Sequence, residues 1–592
     1  MASSFGCAEE MAQRKGEWEI MKIRKRSVVF RVCVAVFASV ASSSAEEMVA
    51  RINFDDRIGV VGKEMYGGFI EHLGRNVYGG VYDPDDVQSD SDGFRKDVIV
   101  ELKELDTPIF RYPGGCYTDL WCWEDGVGPR QKRPVRLDPY WKQKEDNSFG
   151  LHEFVKWLDK VGAEPMITLN LSNRGVIDAA RLWEYCNFPG GTAESDRRRA
   201  NGDERPFGVK YWCLGNEIYG SWEIGQKDAV TYGQLARETG KVLKLLDPKA
   251  VTILCGCGDG KQAWNETVLD LAWKYSDMLS IHQGNKTTSE GYGRVADSFS
   301  RIIKRTAETI RKVRKTRPPE EDKEMPICVD EYFFWNFKVE HTNGSEWTKA
   351  PPILMDIYTR RDAVVLGDMM TVLHNHSDVV KMACIAQSVN TLAPIRTEKG
   401  RTWRQTIFDP LRYNSRYGRG DALRISWSGN ADGDVHASAV WNSKKNRLAL
   451  FVVNRATNIQ HRVGVPFSGR WRIVQSKEIA GNPNERNTAD CQPVRAEDVS
   501  DIKLQGGSLD LVMKPVSWRM VILSSDSMCD VTDYGAKGDG VTDDSGAIQA
   551  VLDRTERPLV VRIPAGTYRI GTGLKVHDRT TIVADPAAKK GC

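Results

Sequence analysis

Eight short apolar runs, separated by amphipathic stretches, follow one another through the first two thirds of this chain. Each run is typical of a buried strand, and the runs lie at 65–71, 108–111, 165–170, 210–217, 251–254, 278–282, 326–331 and 381–387. The stretches between them have helical periodicity, at 93–106, 152–161, 176–187, 228–246, 262–276, 295–315 and 360–377. Strands that alternate with helices form parallel sheets. Eight such repeats predict a (β/α)8 barrel, the α/β fold known as the TIM barrel.

The pattern changes after about residue 420, where alternating strands and turns replace the strand and helix repeat. Runs of strand character lie at 435–441, 447–454, 471–474 and 508–513, and no long helical pattern interrupts them. We therefore predict a catalytic barrel in residues 46–420 and a C-terminal all-β sandwich in residues 421–525. A strand near 49–54, before the barrel, is expected to complete the sandwich.

Residues 526–592 have a third composition. The segment 531–549, VTDYGAKGDGVTDDSGAIQ, resembles the opening of pectinase-type right-handed β-helix proteins. A stacked coil needs about three or more repeats to bury its faces, and this segment is too short for them. We expect a truncated β-helix-like fragment without catalysis of its own. A pectin-binding or pectinolytic role for this segment is an alternative that its brevity weakens.

The N-terminal region carries a targeting pattern. A basic segment at 22–31 precedes an apolar run at 32–40, and small residues follow up to Ala45. This order predicts a signal peptide at 21–45 and a secreted, extracellular protein. The run is short for a membrane anchor, which is the alternative, so no membrane association is expected after cleavage. Because the basic segment begins behind Met21, we interpret residues 1–20 as an upstream extension.

Charge and cysteine content narrow the choice of partners. The formal charge is +3 over 83 basic and 80 acidic side chains, so no strong field favours nucleic acid or an anionic membrane. Thirteen cysteines are scattered without metal-finger spacing, and neither a metal nor a cofactor is predicted. Cys213, Cys328 and Cys384 lie in apolar strand runs, where a thiol usually behaves as a small buried hydrophobe.

Two glutamates, Glu217 and Glu331, end the fourth and the seventh apolar run. The carboxyl ends of barrel strands surround the site of chemistry in this fold, and glycoside hydrolysis needs two carboxyl groups that face one bond. Either glutamate alone could simply be the polar residue that ends a strand. A general acid must keep its proton through a raised pKa, whereas a nucleophile must stay ionised. The matching contexts of the two residues indicate a glycosidase.

Six motifs in a fixed order resemble the α-L-arabinofuranosidases of glycoside hydrolase family 51, in clan A. They lie at 66–75, 110–115, 123–134, 212–217, 329–331 and 381–390, and the resemblance extends over roughly residues 50–525. It implies a retaining, exo-acting enzyme that removes terminal arabinofuranose from arabinan, arabinoxylan or pectin side chains without a cofactor. It also implies a multimer, with a neutral arabinofuranosyl saccharide as the partner.

The resemblance implies roles for seven residues. Glu217 is the expected acid/base and Glu331 the expected nucleophile, and the expected substrate-binding residues are Glu71, Arg111, Asn216, Trp335 and Gln387. Asn216 can donate to the sugar 2-hydroxyl, and the guanidinium of Arg111 can order the site carboxylates. The alternatives are a structural salt bridge for Arg111, for instance to Glu71, and a core position for Trp335. His282 is interpreted as a buried hydrogen-bonding residue without a catalytic role.

The chain departs from the family pattern at three places. After the sixth strand, the sequence SIHQGN at 280–285 lacks the two tyrosines of many members, so Glu331 is expected to lose a hydrogen-bond donor. Cys116 stands where well-known members carry asparagine, and Tyr332 replaces the usual tryptophan. The missing tyrosines support an alternative function, a catalytically impaired arabinose-polysaccharide-binding protein of the same fold, and the intact pair of glutamates argues against it.

Overall fold

The computed structural model describes residues 48–258, 262–286, 291–335, 347–430, 433–525, 528–555, 559–578 and 580–584. The predicted signal peptide at 21–45 and the extension at 1–20 lie outside the described residues. Within the described part of the chain, no helix combines the length and the apolar character needed to cross a membrane.

Eight parallel strands close into a barrel. Numbered one to eight along the chain, they are Gly67–Phe69, Ile109–Tyr112, Glu164–Thr168, Tyr211–Leu214, Val251–Leu254, Met278–Lys286, Ile327–Trp335 and Val380–Ile385. Strand one pairs with strand eight and so closes the ring. The predicted TIM barrel is confirmed, and every predicted run contributes one of its strands. Glu217 follows strand four, and Glu331 belongs to strand seven.

Strands six and seven extend beyond their predicted ends. They continue to Lys286 and Trp335, and the two strands pair in parallel along this extension, where Glu331 lies opposite His282. The aromatic residues Phe333 and Phe334 continue the apolar character of strand seven past the glutamate and are buried. Glu331 is therefore a residue within a strand, and the prediction that it ends its strand was wrong.

The described helices mostly match the predicted ones. They are Lys96–Leu105, Leu151–Val161, Val176–Asn187, Ala193–Ala200, Ala229–Leu246, Gln262–Ala272, Arg294–Arg314, Arg360–Asn375, Phe408–Tyr417 and Ser545–Leu552. Asp228 caps the N-terminus of the helix Ala229–Leu246, because its carboxylate accepts hydrogen bonds from the backbone N–H groups of Val230 and Thr231. Two hairpins lie in the loops, formed by Arg136–Asp138 with Gln143–Glu145 and by Ile395–Glu398 with Arg401–Arg404.

The barrel interior is filled by apolar side chains. Phe69, Ile109, Met166, Ile253 and Met382 form one buried cluster there. Cys213, Cys328 and Cys384 belong to the same cluster and are buried free thiols, which confirms their interpretation as small core residues. This packing closes the barrel beneath the site.

A ten-stranded sheet forms the second domain. In spatial order its strands are Glu497–Asp498, Trp471–Ile479, Ser517–Ser525, Arg447–Asn454, Val435–Asn442, Gly420–Ser428, Met48–Val61, His461–Pro466, Ser508–Met513 and Lys503–Gln505. Leu450 and Val521 from one half share a buried core with Val463 and Leu511 from the other, so the sheet folds over as the predicted sandwich. The strand predicted near 49–54 is present and longer, and it pairs antiparallel with Gly420–Ser428.

The C-terminal segment forms short parallel ladders. Met528–Asp530, Leu559–Ile563 and Thr580–Ala584 make one sheet, and Asp539–Asp543 pairs with Thr567–Arg569 in another. The segment has a small core of its own, which includes Val531, Ile548 and Val561. Arg562 connects it to the sandwich, because its guanidinium lies 3.2 Å from Asp530 and 3.4 Å from Asp421.

Candidate active site

A cavity of about 480 Å³ opens where the carboxyl ends of the barrel strands meet. Six of the seven predicted site residues line it: Glu71, Asn216, Glu217, Glu331, Trp335 and Gln387. Arg111, the seventh, is fully buried behind the cavity wall. Aromatic side chains, including Trp141, Trp222 and Phe333, form much of the remaining lining.

Glu217 is held by a tight turn after strand four. Gly215 has a φ of 95° and Glu217 itself a φ of 39°, a conformation that is strained for a residue with a side chain. Three side chains contact its carboxylate: Trp222 Nε1 donates to Oε2 at 2.7 Å, His282 Nδ1 lies 2.8 Å from Oε1, and the Tyr219 hydroxyl donates to Oε1 at 3.3 Å. The backbone of the turn and these contacts fix the carboxylate at the cavity.

Glu331 is held from strand seven. Arg111 Nη1 donates to its Oε2 at 3.1 Å, and His282 Nδ1 lies 3.6 Å from the same oxygen. The tyrosine that the family pattern offers to the nucleophile is missing, yet two cationic side chains face Glu331. The expected loss of a tyrosine donor is therefore offset by a charge-assisted bond from Arg111.

The two glutamates are close neighbours. One oxygen of each carboxylate and one ring nitrogen of His282 all lie within 4.8 Å of one another. Retaining glycosidases hold their carboxyl groups about 5–5.5 Å apart, whereas inverting enzymes need about 6.5–9.5 Å to admit a water molecule. The approach of one oxygen from each carboxylate to within 4.8 Å is on the retaining side of these two ranges.

Arg111 gathers several groups beneath the cavity. Its Nη2 donates to Asn216 Oδ1 at 2.6 Å, its Nε lies 3.3 Å from Asp330, and its guanidinium stands 4.5 Å from the ring centre of Phe69. Arg111 pairs with Asp330 and Glu331, and the alternative partner Glu71 is held elsewhere. The buried guanidinium of Arg111 therefore donates hydrogen bonds both to Asn216, which precedes Glu217, and to Glu331.

Glu71 and Gln387, which follow strands one and eight, meet at the cavity. Gln387 Nε2 donates to Glu71 Oε2 at 2.9 Å, while Tyr117 N and Trp141 Nε1 donate to Glu71 Oε1 at 3.2 and 3.3 Å. Gly114 allows this packing, because a Cβ there would lie 2.8 Å from Glu71 Cγ. These contacts fix two predicted sugar-binding groups side by side.

Family models match both halves of this arrangement. The α-L-arabinofuranosidase 1 domain matches residues 101–278, and the α-L-arabinofuranosidase C-terminal domain matches residues 330–517. An exo-α-(1→5)-L-arabinofuranosidase of Acetivibrio thermocellus, named as intracellular, is 38% identical over 499 residues, which cover 79% of this chain and 98% of the relative. The chain belongs to the α-L-arabinofuranosidases of glycoside hydrolase family 51. The corresponding enzyme of Halalkalibacterium halodurans is 44% identical over 79% of this chain and 97% of its own length.

Solved structures agree with this membership. A family 51 α-L-arabinofuranosidase from Bifidobacterium longum superposes with a TM-score of 0.75 and 31% identity, covering 81% of this chain and 100% of its own. An arabinose complex of the Thermotoga maritima enzyme gives a TM-score of 0.72 at 28% identity, covering 80% and 99%. The C-terminal segment is similar to a different group, since a rhamnogalacturonase A/epimerase, pectate lyase-like model matches residues 528–591.

The charge distribution in this arabinofuranosidase differs from the expected one. Burial disfavours charge on His282, but Asp330, Glu331 and Glu217 outweigh it and raise the pKa of His282 to about 10. Burial would also raise the pKa of Glu217, but the hydrogen bond and the charge of His282 lower it to about 2. Burial raises the pKa of Glu331. A raised pKa was expected for Glu217, whereas in the unliganded site the hydrogen bond and the charge of His282 lower it.

The pKa of Glu71 is raised as well. Burial, followed by the negative charge of Glu331, raises the pKa of Glu71 to about 8. A protonated carboxyl group both donates and accepts hydrogen bonds. Glu71 can therefore bind a sugar hydroxyl in either sense.

Sequence reasoning missed His282 and Asp330 as parts of the site. His282 Nε2 lies 3.3 Å from Asp330 Oδ1, and Ser280 donates a hydrogen bond to the same carboxylate. One signal was present: Ser280 and His282 are two residues apart on strand six and therefore share a face. The partners of that face lie on strand seven, and sequence spacing alone does not pair two strands.

Two sets of side chains in the described residues hold ligand-type atoms close together. Glu217, His282 and Glu331 form one set, and Cys116, Glu217 and Glu223 form the other, each within 4.8 Å. Glu217 and Glu331 are already paired with His282 and Arg111. We assign neither a metal nor a cofactor to this cavity.

Proposed function

We propose that this family 51 protein is a retaining, exo-acting α-L-arabinofuranosidase in which Glu217 is the acid/base and Glu331 the nucleophile. The single observation that carries the proposal is the approach of the two carboxylates and His282 to within 4.8 Å. This separation leaves room for a covalent intermediate and too little for a water molecule between carboxylate and sugar. The cavity has the size of a small-sugar site, about 480 Å³.

The proposed reaction has two steps. Glu331 attacks the anomeric carbon while Glu217 gives a proton to the departing glycosidic oxygen, so that an arabinosyl ester forms on Glu331 and the C–O bond of the substrate breaks. Glu217 then takes a proton from water, whose oxygen attacks the same carbon and releases arabinose and the free Glu331 carboxylate.

His282 supplies the proton that Glu217 lacks in the unliganded site. Its Nδ1 lies 2.8 Å from Glu217 Oε1, so a single transfer along this hydrogen bond gives neutral His282 and protonated Glu217. A bound sugar would displace water from the cavity, and a drier site favours two neutral partners over an ion pair. The transfer leaves the total charge of the pair unchanged.

Sugar binding is assigned to residues that line the cavity. We propose that Glu71, Gln387 and Asn216 bind the furanose hydroxyls, with Asn216 donating to the 2-hydroxyl, and that Trp335 forms an aromatic wall. Trp335 stacks on Phe333 with ring centres 5.0 Å apart, which supports a fixed wall. Arg111 acts through Asn216 and Glu331, which it contacts directly.

The names of the relatives bear on the natural substrate, and the N-terminal sequence bears on the location of the protein. Relatives are named for exo action on α-(1→5) or α-(1→6) linkages, which supports terminal arabinofuranosyl groups of arabinan, arabinoxylan or pectin side chains as substrates. The basic segment at 22–31 and the apolar run at 32–40 support secretion. Several relatives are named intracellular, so the N-terminal sequence and the location of the native protein test this proposal directly.

Turnover of 4-nitrophenyl α-L-arabinofuranoside tests the proposed function. We expect the wild type to release nitrophenol and arabinose, and Glu217→Ala and Glu331→Ala each to lose roughly 100-fold or more in kcat. Arabinose binding without turnover by the folded wild type would favour the impaired binding protein instead. Arg111 and His282, which both face Glu331, support the enzyme over the binding protein, because they favour an ionised nucleophile.

A further inference from the structure

A second carboxyl pair, Asp119 and Glu223, lies buried beside the site and takes no part in the proposed reaction. Only 1% of Asp119 and 5% of Glu223 is exposed. Asp119 follows strand two and Glu223 follows strand four, so the fold brings together two loops that are distant in sequence. Glu223 Oε2 is buried and has no hydrogen-bond donor within the described residues, and the Asp119 carboxyl group is near enough to act on Glu223 through a hydrogen bond and through its charge. Since two ionised carboxylates have only acceptors, a hydrogen bond between them requires a proton.

The surroundings assign that proton to Glu223. Asp119 accepts hydrogen bonds from the Ser172 hydroxyl and, at 2.7 Å, from Ile224 N, and the cation of Lys227 stabilises its charge further. Burial, followed by the hydrogen bond and charge of Asp119, raises the pKa of Glu223 to about 11. Donors and a cation favour the ionised form of Asp119, and Glu223 is left as the neutral acid.

Glu223 connects this pair to the sugar pocket. Its Oε1 accepts from Cys116 Sγ at 3.1 Å and from Asn216 Nδ2 at 3.2 Å. Because Arg111 donates to Asn216 Oδ1, both ends of the Asn216 amide are held and its orientation is fixed. Cys116 and Asn216 both line the cavity, so Glu223 fixes the positions of two side chains in the cavity wall.

We propose that Asp119 and Glu223 share one proton, and that the neutral Glu223 positions Asn216 and Cys116 in the pocket while keeping a further negative charge away from Glu217. Both are positioning residues. The catalytic consequence rests on the proposed function, whereas the shared proton does not.

The charges around Glu223 explain why its protonation matters. The titratable and charged groups that act on Glu223 are Asp119, Glu217 and Cys116 with its partner Tyr140, whereas Lys227 acts on Asp119. Asp119 and Glu217 are carboxyl groups, and the cation among these residues stabilises the charge of Asp119. An ionised Glu223 would add a second carboxylate beside Glu217, in a region where burial makes charge costly.

Infrared difference spectroscopy detects the proton directly. We expect the wild type minus Glu223→Gln spectrum at neutral pH to contain the C=O band of a protonated carboxylic acid. In Asp119→Asn this band should shift in frequency, because burial keeps the proton on Glu223 while the carboxylate that accepts its hydrogen bond is gone. An ionised-carboxylate band in the first difference, or an acid band at the same frequency in Asp119→Asn, would overturn the proposal. This measurement needs no turnover, so it stands even if the proposed function fails.

Kinetics test the positioning role. Gln at position 223 can donate to Asp119 and accept from Asn216, so Glu223→Gln should keep kcat within about threefold of the wild type. Glu223→Ala removes the acceptor of Asn216 Nδ2, so the amide is held only through its oxygen. We expect kcat to fall roughly 10- to 100-fold with a smaller change in KM. If folded Glu223→Gln is as impaired as Glu223→Ala, a charge is needed at this position and the neutral-acid proposal is wrong. Equal changes in kcat and KM for Glu223→Ala would contradict the role through Asn216.

Discussion

His282 is the residue that couples the two glutamates. It lies 2.8 Å from Glu217, 3.3 Å from Asp330 and 3.6 Å from Glu331, so its charge is shared among three carboxylates. If His282 lost its proton, Arg111 would remain as a cation beside Asp330 and Glu331. His282 therefore stabilises the unliganded site, and it holds the proton that Glu217 gives to the leaving group in the proposed reaction.

Replacement of His282 should affect poor leaving groups most. Nitrophenolate needs little protonation to depart, whereas a sugar alkoxide needs a full proton. Without His282, burial keeps a proton on Glu217 only up to the pKa of that carboxyl group itself. In His282→Gln we therefore expect the alkaline limb of the kcat/KM profile to move to lower pH on an arabino-oligosaccharide and clearly less on 4-nitrophenyl α-L-arabinofuranoside. Trp222→Phe is the control, because the indole also bonds Glu217 but has no transferable proton. Equal shifts of this limb in His282→Gln on both substrates would contradict the proton-donor role.

The same residue should make stability depend on pH. The pKa of His282 is raised from 6.5 to about 10, so its stabilising contribution is fully present below pH 6.5 and is lost as the pH rises through about 10. Glu217 behaves in the opposite sense, since its pKa is lowered from 4.5 to about 2 and its contribution is lost as the pH falls through about 2. Urea unfolding of wild type and His282→Gln should differ most between about pH 4.5 and 6.5, and the difference should disappear as the pH rises through about 10. A constant difference would contradict the ion pair.

At the scale of elements, the turn after strand four carries the acid/base candidate. Gly215 has a φ of 95°, and a Cβ on it would lie 2.3 Å from Ile218 Cδ1. The next two residues are Asn216 and Glu217, so any shift of this turn moves both. A glycine is required here for backbone conformation and for space alike.

Gly215→Ala should damage both stability and activity. We expect a loss of about 2–4 kcal/mol in the free energy of unfolding and a fall in kcat/KM of roughly 10-fold or more, because the methyl group displaces the turn. Gly162→Ala is the matched control: its φ is 88°, but nothing lies within 4 Å of the added Cβ. That variant should lose about 1 kcal/mol and keep its activity. Urea titration and steady-state kinetics measure both quantities, and similar kinetics for the two variants would contradict the argument.

The sequence predicts elements where an apolar pattern exists, and it fails where polar contacts hold an element. The eight barrel runs were recognisable because each is buried on both faces. The helix Ala193–Ala200 has no apolar face, and it is anchored by Arg198, which donates to the carbonyl groups of Tyr185, Phe188 and Pro189. The site divides in the same way. Motifs identified Glu217 and Glu331, whereas the pairings of Asp119 with Glu223 and of His282 with Asp330 depend on loops and strands meeting in space.

At the scale of the whole molecule, the catalytic barrel and the sandwich are joined by more than a linker. The strand Met48–Val61 precedes the barrel yet lies in the middle of the sandwich sheet, beside Gly420–Ser428. The barrel helix Arg360–Asn375 also contacts the sandwich, through hydrogen bonds of Arg360 to the carbonyl groups of Ala480 and Asn482. The C-terminal segment, by comparison, has its own small core.

Removal of residues 526–592 should leave catalysis intact. The segment attaches to the sandwich through groups such as Arg562, and none of the residues that the structure describes in it lines the active-site cavity. We expect kcat/KM on 4-nitrophenyl α-L-arabinofuranoside to stay within about twofold of the full chain, because the barrel and sandwich keep separate cores from the segment. Calorimetry checks that the shortened protein still unfolds cooperatively. A folded, shortened protein without activity would show that the segment contributes to the site.

The central claim is the division of roles between Glu217 and Glu331, and azide products test it most directly. In Glu217→Ala the ester on Glu331 still forms, and azide in place of water should give an arabinofuranosyl azide with the anomeric configuration of the substrate. In Glu331→Ala azide attacks the substrate itself and should give the inverted azide. Proton NMR of the two products distinguishes these outcomes. Exchanged configurations would contradict the assigned roles, and an inverted first product from the wild type would contradict the retaining mechanism.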